Sequence, residues 1–201
     1  KWTYAGTISA KNSISSISIP EPSVTQKPVY NEASIVTTTG ALYQKAAGMG
    51  SIKLTCNEKQ FSQSSDVYCH DLAIFAAGMS TMVYNQTAAN VTTALHNLGY
   101  QNVKNIADSE NGKVSPYWIA NKTIILDGKK TTIISVFIRG TYNEEWIDNF
   151  DSGYGSTTHK GFEYAANFVW AGINDYVIEN DLCENNLKIL ISGHSRGAAT
   201  A

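Results

Sequence analysis

Two apolar, β-branched runs with one amphipathic segment between them constrain the fold of this chain most. The first run is TTIISVFI (131–138) and the second is LKILIS (187–192). Residues 160–179, which lie between them, place apolar side chains at helical spacing. A strand, a helix and a strand in this order form a βαβ unit, whose strands are parallel and covered on both faces. The sequence therefore predicts an α/β protein.

A hairpin signal lies immediately before this unit. β-branched runs flank Asp127 and Gly128, and an Asp-Gly pair between such runs favours a two-residue turn. We therefore expect an antiparallel hairpin that enters a mixed, mostly parallel sheet with flanking helices.

Two helices are predicted ahead of the hairpin. Residues 64–66 (Ser-Ser-Asp) are N-cap candidates, and apolar side chains then recur at helical spacing up to Val83. A second helix is expected over 87–98 and ends at Gly99. We interpret the apolar stripes of both helices as core packing.

Residues 1–62 have a different character. They are rich in Ser, Thr, Ile and Val, and ISSISI (14–19) and IVTTT (35–39) have the composition of strands. We expect a β-rich N-terminal extension over 1–62, followed by an α/β domain over 63–201.

The charge balance excludes one class of partner. The chain of 201 residues has 15 basic and 17 acidic side chains and a formal net charge of −2. It shows no basic stripe, so nucleic acid is not an expected partner. No apolar segment approaches the roughly 18 residues that a membrane span needs. Lys1 begins the sequence without a methionine or an apolar signal segment, as in a mature secreted protein or a shortened sequence. We expect a secreted protein.

The three cysteines, Cys56, Cys69 and Cys183, do not form a metal-binding pattern. No CxxC occurs and the histidines do not group with them, so we expect neither a metal nor a cofactor. Cys56 and Cys69 could pair across a short loop in an exported protein. Three free thiols are the alternative.

The strongest chemical motif is the GxSxG at Gly193-His194-Ser195-Arg196-Gly197. A predicted buried strand leads into it and small residues follow, which is the strand–turn–helix frame of a nucleophile elbow. The glycines would let strand and helix approach closely, and the N–H of Arg196 would face a developing oxyanion. The competing interpretation is a tight turn with an inert serine.

Four stretches in order extend this motif into a family resemblance: DLAIFAAGMSTMVY (71–84), FIRGTYNEEWIDNF (137–150), HKGF (159–162) and ILISGHSRG (189–197). Over about residues 68–201 the chain resembles the class 3 lipases of the α/β-hydrolase fold. The resemblance implies that 63–201 is the N-terminal part of such a hydrolase domain.

The same resemblance implies roles for individual residues. Ser195 would be the acyl-forming nucleophile, and Thr141 would supply a second oxyanion-hole donor. Residues 142–152 take the place of the lid. Its apolar face would consist of Trp146, Ile147 and Phe150, which could cover the site or meet a lipid interface. His159 corresponds to a structural histidine of the family, so we do not expect it to act as the base.

Two departures from the family matter. Arg196 stands where an apolar residue such as leucine is more common, and it could pair with a carboxylate or favour an anionic substrate group. In this fold the acid and the histidine of the triad follow the serine, yet only residues 196–201 follow Ser195 here. We therefore expect the remainder of the catalytic domain beyond Ala201.

The sequence thus favours a serine carboxylic-ester hydrolase that acts on acylglycerols or other lipid esters and contacts lipid interfaces transiently. Two alternatives stay open. One is a non-catalytic α/β-hydrolase relative that binds lipid or a protein partner, and the other is a serine hydrolase that acts on non-lipid esters, thioesters or peptides.

Overall fold

The computed structural model describes residues 30–38, 49–84, 88–107, 114–141, 159–183 and 186–201. Its strands are β1 (Tyr30–Thr38), β2 (Met49–Asn57), β3 (Gln101–Ile106), β4 (Tyr117–Leu126), β5 (Lys129–Ile138) and β6 (Asn186–Gly193). Its helices are α1 (His70–Met82), α2 (Ala88–Asn97), α3 (Lys160–Glu179) and α4 (Arg196–Thr200), with a 3-10 helix at Glu58–Ser62.

A mixed four-stranded sheet with the order β3-β4-β5-β6 forms the centre of the molecule. β4 pairs with β3 and β5 antiparallel, whereas β5 and β6 are parallel. The predicted hairpin is confirmed, because β4 and β5 are joined by Asp127 and Gly128 at φ values of 50° and 77°. Two consecutive residues with positive φ are what a type I′ turn requires. The mixed sheet with flanking helices confirms the α/β class. The expectation of a mostly parallel sheet is wrong for the described residues, because two of the three strand pairs are antiparallel.

β5 separates two hydrophobic cores, because successive side chains of a strand point to opposite faces. Ile133 and Phe137 pack with α1 and α2. Ile134, Val136 and Ile138 pack with α3 on the other face. Residues 131–138 are buried throughout, as the continuous apolar run predicts.

The helix α3 has the predicted bounds. The helical spacing predicts an apolar stripe of Phe162, Ala166, Val169, Trp170, Ile173 and Val177, and the prediction for Trp170 is wrong. The buried face consists of Ala165, Val169, Ile173 and Tyr176. Trp170 is 47% exposed, because one residue beyond Val169 the helix has turned by about 100°.

The first two helices are also present, with one correction at a terminus. Val91, Ala94, Leu95 and Leu98 are buried, and Gly99 follows α2 with a φ of 83°. The N-cap candidates at 64–66 are wrong, because α1 begins only at His70 with Cys69 in the N-cap position.

The described part of residues 1–62 is a two-stranded antiparallel sheet of β1 and β2, followed by the 3-10 helix. Leu54, Cys56 and Phe61 pack in the same core as Phe75 of α1. The segment 14–19 and Thr39 lie outside the described residues. The division of the chain at residue 62 stays a prediction.

The cysteines form no disulfide among themselves. Cys56, Cys69 and Cys183 are all free. Cys56 is buried, and burial raises the pKa of its thiol. Its Sγ lies 3.4 Å from the Nζ of Lys122, whose ammonium group is 3.6 Å from an Oε1 atom of Glu58.

Candidate active site

Two loops meet at the carboxyl edge of the sheet. Ile138 at the end of β5 lies opposite Gly193 at the end of β6. Because the strands are parallel, the residues after each strand leave the sheet at the same edge. Gly140 is consequently so close to the second loop that a Cβ atom added to it would lie 3.1 Å from the Cβ of Ser195. The chain thus brings the segment before Thr141 next to Ser195.

Ser195 has a backbone conformation that L-residues rarely adopt, with φ 55° and ψ −124°. Such a conformation costs about 1–3 kcal/mol and persists only where the surroundings enforce it. The N–H of Gly197 donates to the carbonyl oxygen of His194 at 2.9 Å, and the N–H of Ala198 donates to that of Ser195 at 3.0 Å. These bonds fix a sharp turn between β6 and α4, and Ser195 at its tip is exposed.

Glycine is required on both sides of this turn. A Cβ atom on Gly193 would overlap the carbonyl group of Gly197. A Cβ atom on Gly197 would overlap the carbonyl oxygen of Ile138. The strand and the helix therefore approach each other as closely as the GxSxG spacing implies.

Arg196 is the first residue of α4, so its N–H lies at the positive end of the helix next to Ser195. Its side chain is almost fully buried, with the residue 4% exposed. The guanidinium group is therefore enclosed by protein.

The second expected donor, Thr141, lies at the end of a described segment and is partly exposed. The lid candidates Trp146, Ile147 and Phe150 lie outside the described residues, and their roles stay predictions. The same holds for the rest of the expected lid at 142–152.

None of the four histidines in the chain hydrogen-bonds to the Ser195 side chain within the described segments. His70 pairs with the hydroxyl group of Tyr68 at 3.0 Å, and His96 is exposed near the end of α2. His159 precedes α3, and its ring stacks on that of Phe162 with centroids 4.0 Å apart. Among the described residues, no histidine therefore has a recorded hydrogen bond to the hydroxyl group of Ser195.

The fourth histidine, His194, contacts a residue that the sequence analysis did not identify. The hydroxyl group of Tyr84 lies 3.0 Å from Nδ1 of His194. Tyr84 is the last residue of the stretch DLAIFAAGMSTMVY. A tyrosine at the end of an apolar helical stripe is the one sequence feature that could have indicated a role for it. Its partner is remote in the chain, so only the fold brings the two together.

A pair of serines ties α1 to the strand that carries the elbow. Oγ of Ser80 lies 2.8 Å from the Ala76 carbonyl oxygen and 3.1 Å from Oγ of Ser192. Oγ of Ser192 lies 3.3 Å from the same carbonyl oxygen, so the two hydroxyl groups share their protons among these three contacts. These bonds hold the C-terminal end of β6 against α1, next to the turn at Ser195.

A cavity with a volume of about 820 Å³ lies between the segment 60–69, α1 and β6. Ser195 is not among its lining residues.

Comparison of the chain with protein-family models, with curated proteins and with solved structures found no match. In the described segments, no three His, Cys, Asp or Glu side chains are grouped as metal ligands. No helix among those segments has the length and apolar character to cross a bilayer.

Proposed function

We propose that this protein is a serine carboxylic-ester hydrolase of the α/β-hydrolase fold, with Ser195 as its nucleophile. The observation that carries the proposal is the backbone of Ser195, a non-glycine residue at φ 55° and ψ −124° on an exposed turn between a strand and a helix. Strain of this kind is concentrated at functional sites, and a nucleophile elbow has this arrangement.

The chemistry follows from the groups around the turn. Oγ of Ser195 would attack the ester carbonyl carbon and form a tetrahedral intermediate whose oxygen is negatively charged. The N–H groups of Arg196 and Thr141 would donate to that oxygen. The alcohol then leaves, and water hydrolyses the acyl-enzyme. A serine needs a neighbouring base for this reaction, and in this fold a histidine oriented by an acid takes that role.

Lipid esters are the substrate class that the family resemblance favours. Trp146, Ile147 and Phe150 lie between the two motifs that would flank a lid, so they are the apolar contacts we propose for an acyl chain or a lipid interface. The short sequence between Phe150 and His159 fits a small lid, which also suits short-chain esters.

The proposal is tested with a fluorophosphonate probe on the protein at its natural length. We expect one adduct, and tryptic mapping should place it on Ser195. The Ser195→Ala variant should not react. Ser192→Ala is the matched control, because Ser192 is on the same strand but bonds to α1, and it should react as the wild type does.

An absence of labelling in natural protein that is folded by circular dichroism would overturn the proposal. That result would favour a non-catalytic relative that binds lipid or a protein partner. A labelled protein could also hydrolyse thioesters or peptides but not p-nitrophenyl esters. That result would support Ser195 as the nucleophile and would change the proposed substrate class.

A further inference from the structure

Tyr84 lies where the loop after β5, which contains Gly140, meets the loop after β6, which contains Ser195. It follows α1 directly and is buried, with only 6% of the residue exposed. Its hydroxyl oxygen is 3.0 Å from Nδ1 of His194, and the two rings meet edge to face with centroids 5.8 Å apart. One side of Tyr84 therefore contacts the residue immediately before Ser195.

The same hydroxyl group also contacts the other loop. A Cβ atom on Gly140 would overlap the hydroxyl group of Tyr84 and the carbonyl oxygen of His194. The phenol thus occupies the space that a side chain at position 140 would need. It lies against the residue before Thr141 and against the residue before Ser195 at once.

The loops need such a contact because the sheet holds them only up to Ile138 and Gly193. Beyond the strands, the N–H of Arg139 donates to the Pro116 carbonyl oxygen at 2.9 Å, which anchors the start of the first loop. Contacts between the two loops therefore contribute to the distance between Thr141 and Ser195. An oxyanion hole depends on this distance, since a misplacement of about 1 Å can reduce a rate by about 10²-fold.

We propose that Tyr84 is a positioning residue of the ester hydrolase, an inference that rests on the function proposed above. Its hydroxyl group fixes His194, and through it the turn at Ser195, relative to Gly140 and Thr141. The phenol donates to Nδ1 when the imidazole proton is on Nε2, and it accepts from Nδ1–H in the other tautomer. Either bond holds the two oxyanion donors at a constant separation.

The test is Tyr84→Phe in the protein at its natural length. Phenylalanine keeps the ring and its packing but removes the hydrogen bond to His194. With p-nitrophenyl butyrate we expect kcat, normalised to the fluorophosphonate-reactive serine, to fall about tenfold, with KM within twofold. The affinity for a trifluoromethyl ketone, which forms the tetrahedral adduct, should fall by the same factor. A merely structural role would change the reactive fraction and leave these normalised values alone.

Tyr68→Phe is the matched control. Tyr68 also has its hydroxyl group 3.0 Å from Nδ1 of a histidine, His70, but on an exposed segment outside the site. This variant should keep the wild-type kcat. His194→Phe, which puts an apolar ring in place of the imidazole and so removes the phenol's partner from the opposite side, should lower kcat as Tyr84→Phe does, and the double variant should lose no more than either single variant.

The outcomes separate the two proposals. Ser195-dependent turnover that is unchanged in Tyr84→Phe would overturn the positioning role and leave the hydrolase intact. A rise in KM at constant kcat would also overturn it, because it would make Tyr84 a substrate contact. If the wild type shows no Ser195-dependent reaction, the proposed function fails and the role of Tyr84 fails with it.

Discussion

At the scale of single residues, close packing around the turn at Ser195 holds that residue in a strained backbone conformation. This serine has an unfavourable backbone conformation, and Gly193 and Gly197 allow the contacts that enforce it. The apolar strand, the GxSxG spacing and the small residues after it were together sufficient to predict this turn, because these signals are neighbours in the chain. They could not predict the contact between Tyr84 and His194, since that contact depends on the packing of α1 against the sheet.

Replacement of Gly197 by alanine should therefore destabilise the protein strongly. The new Cβ atom would overlap the backbone of Ile138, which no side-chain rotation can relieve. We expect the free energy of unfolding, measured with urea, to fall by about 3 kcal/mol, at the upper end for overpacking. Gly128→Ala is the control: its Cβ would meet nothing within 4 Å, and only the positive φ would cost about 1 kcal/mol. Equal losses in the two variants would contradict the steric argument.

At the scale of elements, patterns among neighbouring residues predicted the type and position of the β4–β5 hairpin and of α3 well. The Asp127-Gly128 turn and the bounds of α3 follow from residues that are neighbours in the chain. The start of α1 could not be predicted in this way. Ser64 takes part in a turn, in which its carbonyl oxygen accepts from the N–H of Val67 at 3.1 Å, so a residue type that favours N-caps serves here in a loop.

The contact between α3 and β4 allows a test at this scale. In an open helix position, Gly172→Ala would stabilise the protein by about 1 kcal/mol through helix propensity. Here the new Cβ atom would overlap the hydroxyl group of the buried Tyr117. We therefore expect a loss of about 1–3 kcal/mol in the free energy of unfolding.

Tyr117→Phe tests the cause of this loss. It removes the overlapping oxygen, while the nearest remaining atom, Cζ, would be 3.1 Å from the Cβ atom. In this background Gly172→Ala should be close to neutral. If the loss persists unchanged, the hydroxyl group of Tyr117 is not its source.

At the scale of the whole molecule, the parallel pairing of β5 and β6 was predictable, because a strand–helix–strand unit has few alternatives. The position of β3 beside β4 was not predicted, since its sequence QNVKNI lacks a strong strand signal. Tertiary contacts hold β3 in this position instead. One of them comes from α3, where the hydroxyl group of Tyr176 donates to the carbonyl oxygen of Asn102 at 3.0 Å.

Three buried tyrosines around the sheet predict a loss of stability at alkaline pH. Burial, with a smaller effect of Asp175, raises the pKa of Tyr117 to about 12. Burial also raises the pKa values of Tyr100 and Tyr176. The folded state thus holds these protons more tightly than the unfolded chain, in which the pKa of tyrosine is about 10. The stabilisation from Tyr117 is complete below pH 10 and is lost as the pH rises through 12.

Urea denaturation at several pH values checks this prediction. The free energy of unfolding should fall between pH 10 and pH 12. In Tyr117→Phe it should fall less steeply, with a slope that is smaller by up to about 1.4 kcal/mol per pH unit. The same slope in both proteins would show that Tyr117 does not contribute.

The pairing of β5 with β6 also has a consequence for the order of folding. β5 can form its hairpin with β4 early, because a two-residue turn closes only a short loop. β6 must join β5 across residues 139–185, and contacts so distant in sequence form slowly. The loops that contain Gly140 and Ser195 come together only in that step. For the nucleophile proposed above, we therefore expect a newly made chain to stay chemically inert until β6 has docked against β5.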